Sequence, residues 1–287
     1  MDLNYLSPYI RTAMDSLVTP PWRVHERVIF DYELLYIKSG EVIVSIESET
    51  YNGIPGDIFL FKPKQKHSIS IVGNEPLRQP HIHFDLFYEQ NSPDVKVSFK
   101  LLEAMTVNEK KMFRDDITDE IFNPFPSYIR LQSPLALEKM LFNVIHEYNN
   151  RVPYYEIAVK GLFIQLWTQL LREIYWSNNK HVLPNMEILS KVKNYLDFNP
   201  SQNITLDDLA EFAHLSKFYL SHLFKKAFGV TPIQYHLMVR IIKAKESIQF
   251  TDLSMNEIAE KLGFQSIYSF SRAFKKQEKV PPTFYRR

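Results

Sequence analysis

The stretch Gly263–Arg287, GFQSIYSFSRAFKKQEKVPPTFYRR, decides the fold, because Ala213–Tyr235, AHLSKFYLSHLFKKAFGVTPIQY, repeats its pattern. Each carries a serine, an aromatic residue two positions on, then Phe-Lys-Lys, a proline and a tyrosine. The match extends upstream, where Leu209-Ala210-Glu211 aligns with Ile258-Ala259-Glu260. After a slip of one residue, Ser216 falls on Ser266 and Phe224-Lys225-Lys226 on Phe274-Lys275-Lys276. Pro232 falls on Pro281 or Pro282, and Tyr235 on Tyr285. Thr205 with Asp208, and Ser254 with Glu257, have the spacing of helix capping boxes, while Gly229 and Gly263 are helix-stop residues. Each repeat therefore predicts a short capped helix, a tight turn and a basic helix. That is the helix-turn-helix arrangement, in which the second helix enters a DNA major groove. The repeat period is too long for the common solenoids. A long helix over Pro232–Phe250 separates the two units and spans about 27 Å. One turn of duplex rises about 34 Å, so two recognition helices can meet successive major grooves on one side of DNA.

Charge follows the same division. The chain of 287 residues has a formal net charge of +1. Residues 184–287 hold 15 Lys/Arg against 10 Asp/Glu, and the first 183 hold 19 against 23. A basic module on an acidic body is the pattern of a polyanion-binding domain joined to something else. With 45% hydrophobic and 23% charged residues, a soluble globular chain of about two domains is expected. No apolar run approaches the roughly 20 residues needed to cross a bilayer. The N-terminus lacks a basic region followed by an apolar one, so no secretory signal is expected. The chain has no cysteine, which excludes disulfides, thiolate metal sites and thiol nucleophiles. A cytoplasmic location fits.

The tail, about 100 residues, resembles the AraC/XylS family of bacterial transcription regulators. The strongest stretch is IAEKLGFQSIYSFSRAFKK followed by PPTFYR, close to the family pattern I-A-x3-G-F-x-S-x3-F-x-R-x-F-K-K. Lys279 stands where the family usually has glycine, and a lost left-handed turn residue costs about 1 kcal/mol. Within the second basic helix, Ile267, Tyr268, Ser271 and Arg272 share one face, behind Gln265 and Ser266 at its start. Arg272 can donate two parallel hydrogen bonds to a guanine edge, worth about 1–3 kcal/mol of discrimination. The matching positions of the first unit are Ser216, Lys217, Phe218, Ser221 and His222. His222 stands where the family often has arginine and offers no fork, so the first unit is expected to read sequence more weakly. Lys225, Lys226, Lys275 and Lys276 suit phosphates. Phe224, Phe274, Leu220 and Phe270 are core. The resemblance also implies activation by contact with RNA polymerase.

The front half reads differently. Residues ~20–90 are rich in Ile, Val, Tyr and Phe and broken by turn signals at Ser39-Gly40, Asn52-Gly53 and Pro55-Gly56. Val42, Val44 and Ile46 alternate on one face, and short strands at this spacing predict a small barrel or sandwich. Residues 91–130 are irregular, with the stiff NPFPSY segment. A helix with a Ser133 cap and Pro134 in its first turn runs to Asn150, and a second begins near Pro153. On the second, Ile157, Leu162, Ile164, Leu166, Leu170 and Ile174 exceed one narrow stripe, so two apolar faces are expected, one on the barrel and one on a second subunit. SNNKHVLPN is the expected linker.

YELLYIKSGE and PGDIFLFKPKQKHSI are similar to the cupin-type sensor domains of many family members. That likeness implies a barrel whose cavity holds a small molecule, often a sugar. Glu33 and His67 occupy positions where enzymatic cupins carry metal ligands, but Glu26 and Val28 stand where their His-x-His would be. His25 is the nearest substitute, and His81, His83 and Asp85 alternate on one strand with ligand-like spacing. A polar effector pocket, structural histidines and a metal site are the three readings. The favoured pocket draws on Trp22, Arg23, His25, Arg27, Glu33, Tyr36, His67 and His83, which pair planar polar groups for hydroxyls with an aromatic face.

The chain is thus expected to be an α+β protein of two domains. Residues 1–178 form a cupin-like β-barrel with trailing helices that binds effector and dimerises. Residues 179–185 link it to an all-α tandem helix-turn-helix domain at 186–287. The expected function is sequence-specific regulation of transcription, as an activator, on double-stranded DNA, in response to a sugar or sugar derivative. No catalytic residue, metal or cofactor is expected. The alternative is a metal-dependent cupin enzyme, an isomerase or dioxygenase, fused to a DNA-binding domain.

Overall fold

The computed structural model describes residues 3–121, 124–131 and 134–286. The expected Ser133 cap, the first residue of the NPFPSY segment and Arg287 lie outside the described residues. Packing divides the chain into two units, Met1–Ile174 and Tyr175–Arg287.

The first unit contains β1 (Tyr9–Val18), β2 (Arg23–Arg27), β3 (Tyr32–Tyr36), β4 (Glu41–Ile46), β5 (Glu49–Gly53), β6 (Asp57–Phe61), β7 (His67–Val72), β8 (Leu77–Asp85) and β9 (Tyr128–Arg130). A single turn, α1 (Val107–Lys110), and two longer helices, α2 (Pro134–Asn150) and α3 (Tyr155–Asn178), follow β8. The strands form two antiparallel sheets, ordered β1-β8-β3-β6-β9 and β2-β7-β4-β5. Side-chain alternation assigns each residue to a face. Leu35, Phe59 and Phe61 of the larger sheet meet Val42, Val44, Ile46 and Ile69 of the smaller one. The opposite face, with Tyr32, Leu34, Ile58, Leu60, Ile82 and Phe84, packs under Leu137, Leu141, Phe163, Leu166 and Trp167 of the helices. The larger sheet is therefore covered on both sides, which is why YELLY and DIFLF are buried end to end. On α3, Val159, Phe163, Leu166, Leu170 and Ile174 are buried, while Ile157 is 71% and Ile164 36% exposed.

The second unit holds α4 (Met186–Phe198), α5 (Leu206–Ala213), α6 (Lys217–Phe228), α7 (Pro232–Phe250), α8 (Met255–Lys261) and α9 (Ile267–Glu278). It has two small cores. Leu189, Val192, Leu196, Leu209, Leu220 and Phe224 build the first, and Ile241, Ile248, Ile258, Phe270 and Phe274 the second. The capping boxes at Thr205–Asp208 and Ser254–Glu257 form as spaced. α7 joins the two cores and is tied back to the loop after α4, where Arg240 donates to the carbonyls of Pro200 and Gln202 and the His236 ring meets the Asn199 carbonyl. Gly263 completes this junction: its φ is +71°, and a Cβ there would lie 2.2 Å from the Ser201 carbonyl oxygen. Glycine is required at that position for both reasons.

The division between units falls inside α3, after Ile174. The stretch 179–185 is not an open tether. Val182 is fully buried in the first helical core, and Leu183–Asn185 forms a short turn of 3-10 helix.

Candidate DNA interface and effector cavity

Two helices of the second unit are built alike. Ser216 caps α6 and Ser266 caps α9, each hydroxyl accepting from a backbone amide three residues on. Both helices end in left-handed residues, Gly229 at φ +81° and Lys279 at φ +66°. Leu220, Leu223 and Phe224 anchor α6, and Phe270 and Phe274 anchor α9. The remaining face of each is open. Lys217, Phe218, His222, Lys225 and Lys226 are exposed on α6, and Tyr268, Arg272, Lys275 and Lys276 on α9, with Gln265 exposed just ahead of it. Ser221, Ile267 and Ser271 are half-buried at the edges of these faces. Phe218 and Tyr268 leave 80% and 78% of their surface in solvent, which burial in the helical core would have hidden. Arg272 has no carboxylate partner among the described residues, so its fork is free; Lys217 is paired with Asp207 at 3.1 Å. Such a surface can place cations on phosphates and planar or apolar groups on base edges.

The second site lies between the sheets of the first unit. A cavity of about 520 Å³ is lined by Trp22, Arg23, His25, Arg27, Glu33 and His83, and also by Thr12, Ser16, Gln79, His81 and Phe99, among others. β3 and β8 pair so that Glu33 stands opposite His83 and Leu35 opposite His81. Arg27 donates to Glu33 at 2.6 Å and to the His67 ring at 3.0 Å, and its guanidinium lies 4.8 Å over the Phe99 ring. His83 reaches Glu33 Oε2 at 3.4 Å through Nε2 and Asp31 at 3.2 Å through Nδ1. Arg11 donates to Asp31 at 2.7 Å and to Asp85 at 2.9 Å, and the Arg114 guanidinium lies 3.1 Å from the other Asp85 oxygen as an ion pair. A chain of buried ionisable side chains thus runs from the cavity to Arg114 in the segment after α1.

The pairing sets the protonation states. Burial alone would raise Glu33, but the nearby His83 and Arg27 charges outweigh it and hold its carboxyl at about 2. His67 is pushed down to about 4, first by burial and then by Arg27. His81 is lowered by burial, with Glu33 pulling the other way. Burial lowers His83 too, yet Glu33 and Asp31 together raise it. At neutral pH the cavity wall therefore offers an ionised carboxylate at Glu33, the Arg27 guanidinium and a neutral imidazole at His81, with the neutral His67 ring bonded to Arg27 from behind.

Two residues expected in this pocket are elsewhere. Tyr36 faces the helices, where its hydroxyl donates to Glu138 at 2.6 Å; it is an odd number of residues from Glu33, so pleating turns it to the other face. His67 is behind the wall, stacked on Phe61 at 4.1 Å and bonded to Arg27. His81, Gln79 and Phe99 were missed as pocket residues. The first two share strand parity with His83, a signal the sequence carries; Phe99 comes from an irregular segment and has no such signal. Among the described residues no three His, Asp or Glu side chains are arranged to hold a metal ion. No described helix is long and apolar enough to cross a membrane.

Comparison with known proteins gives two family matches. Residues 209–287 match a helix-turn-helix domain, and residues 8–95 match an AraC-like ligand binding domain. The uncharacterised HTH-type transcriptional regulator YisR of Bacillus subtilis is 22% identical over 264 residues, covering 91% of this chain and 88% of that protein. The TetD protein of transposon Tn10 from Escherichia coli is 39% identical over 100 residues, 35% of this chain and 72% of that protein. The raffinose operon regulatory protein RafR of Pediococcus pentosaceus is 27% identical over 147 residues, 51% of this chain and 52% of that protein.

Proposed function

We propose, for a chain that belongs to the AraC/XylS family of DNA-binding transcription regulators, that it activates transcription in response to a sugar or sugar derivative held in the first unit. The family's domains are those of regulators and not of enzymes. The observation that carries the reading is the pre-set cavity wall: an ionised Glu33, the Arg27 fork and neutral imidazole present hydrogen-bonding partners of both kinds beside the faces of Trp22 and Phe99. Hydroxyls take the planar polar groups, and the C–H side of a sugar ring takes an aromatic face. RafR, by its name, serves a raffinose operon, which supports a carbohydrate ligand.

On this proposal α6 and α9 read successive major grooves of double-stranded DNA. Arg272 reads a base edge, and Lys225, Lys226, Lys275 and Lys276 bind phosphates. Residues 1–178 sense and dimerise, with Ile157 and Ile164 of α3 supplying exposed apolar surface for a second copy; residues 186–287 bind DNA and RNA polymerase from the cytoplasm. Effector acts by its differential affinity for two arrangements of the regulator.

The test is a thermal-shift screen of purified protein against mono- and disaccharides, sugar acids and divalent metals, with EDTA as control. A sugar at about 100 times its dissociation constant adds about 2.7 kcal/mol of stability, and the same sugar should change affinity for operator DNA. Melting that no carbohydrate moves, but EDTA lowers, would overturn the sugar reading.

A further inference from the structure

Residues 175–185, of which 179–185 are the expected linker, make contacts with the first recognition helix that have no counterpart on the second among the described residues. Tyr175 donates its hydroxyl to the Lys226 carbonyl oxygen of α6 at 2.6 Å. That carbonyl is among the last four of α6, which lack amide partners inside the helix; Gly229 already takes the neighbouring Lys225 oxygen. Six residues on, the His181 ring stacks on His222, centroids 6.0 Å apart and planes 23° from parallel. Trp176 and Val182 enter the same core as Leu220, Leu223 and Phe224. The segment is itself pinned, since Asn179 bonds the Tyr175 carbonyl through its side chain and receives the Val182 amide on its own carbonyl. In the second repeat, Arg272 occupies the position of His222 and no ring stacks on it among the described residues, while the Lys276 carbonyl is met only by the Lys279 side chain.

We infer that Tyr175 and His181 are positioning residues of the DNA-reading surface: they fix the end of α6 and the ring of His222, and the segment 175–185 belongs to the first reading module. The physical reason is entropic. A histidine on an open helix face has two free side-chain torsions, and ordering them at the groove is charged against affinity. A ring already stacked on His181 loses less on docking. The first repeat, which lacks an arginine fork, gains from pre-organisation what the second gains from bidentate geometry. The residues concerned lie ahead of the matched helix-turn-helix region, which starts at residue 209. The inference rests on the reading of α6 as a groove-facing helix.

Selection of binding sites from random duplexes by the full-length protein tests it. Six proteins are compared: the unaltered chain, Tyr175→Phe, His181→Ala, His181→Phe, His222→Ala and Arg272→Ala. The unaltered chain should select a two-part motif, one part degraded by His222→Ala and the other by Arg272→Ala. Tyr175→Phe and His181→Ala should degrade the His222 part alone and weaken the selected site about fivefold, the order of one hydrogen bond, with binding to unrelated duplex within about twofold. His181→Phe keeps a stacking ring and should restore most of the lost preference. If His222→Ala changes the motif while Tyr175→Phe and His181→Ala do not, the positioning role is overturned and the reading of α6 stands. If His222→Ala changes nothing, the reading of α6 fails and the positioning role with it. If both parts weaken together with the melting temperature, the segment is only a structural prop and the inference is overturned.

Discussion

Replacing Glu33 by glutamine keeps the size of the side chain and removes the negative charge that Arg27 and His83 share. In the folded protein that carboxyl is held at about 2, against an ordinary value of 4.5. A difference of this size contributes about 3 kcal/mol to stability at neutral pH, and breaking a buried ion pair by removing one partner falls in the same range, about 3–5 kcal/mol. For a unit of this size each kcal/mol moves the melting temperature by roughly 2–4 °C, so Glu33→Gln should melt roughly 6–12 °C lower at pH 7. The sign with pH follows from the lowered value. The contribution is complete above the unfolded carboxyl's titration and disappears as pH falls from about 4.5 towards 2. Calorimetry of both proteins from pH 7 to pH 3 should show a gap that narrows on the acid side. Affinity for non-specific duplex should stay unchanged, and the response to effector should be lost. A gap that is absent at pH 7, or that stays constant down to pH 3, would refute the claim that the Arg27–Glu33 pair is ionised and holds the cavity wall.

Arg272→Ala should lose about 1–3 kcal/mol of discrimination at one groove while keeping most non-specific affinity; equal losses on selected and random duplexes, in a salt-controlled binding assay, would remove its base-reading role. Lys279→Gly should stabilise the second unit by about 1 kcal/mol, because Lys279 occupies the left-handed region at φ +66° without help from a glycine; chemical denaturation would read this, and a destabilised variant would contradict it. His67 is held neutral by burial and titrates in the fold at about 4 rather than 6.5. Its contribution is present above pH 6.5 and is lost as pH falls towards 4, so His67→Gln should flatten the stability profile across that window, and an unaltered slope would show that other groups govern it.

The two halves of the chain differed in how much could be read without coordinates. In the tail, helix starts and stops are local chemistry. Thr205 with Asp208, Ser254 with Glu257, and Gly229 each act within one turn of chain, and each forms as spaced. The buried and open faces of α6 and α9 follow from the same period, with Leu220, Phe224, Phe270 and Phe274 inside and Lys217, Tyr268 and Arg272 outside. In the front half the strands were legible, but the cavity was not fully so. Parity alone separates Tyr36 from Glu33 and joins His81 to His83, yet parity does not say which sheet face carries the helices.

By itself, then, the sequence determined the tandem helix-turn-helix units, their exposed basic helix faces and the antiparallel sheet domain ahead of them, because capping, turn and periodicity signals act between near neighbours. Only the tertiary structure decided which polar residues share the cavity, that Arg27 and Glu33 neutralise one another at 2.6 Å, and that residues 175–185 fold onto α6. Those pairings bring together residues from separate elements, such as Tyr175 with Lys226, and the distance between them is set by how sheets and helices pack rather than by anything written along either stretch.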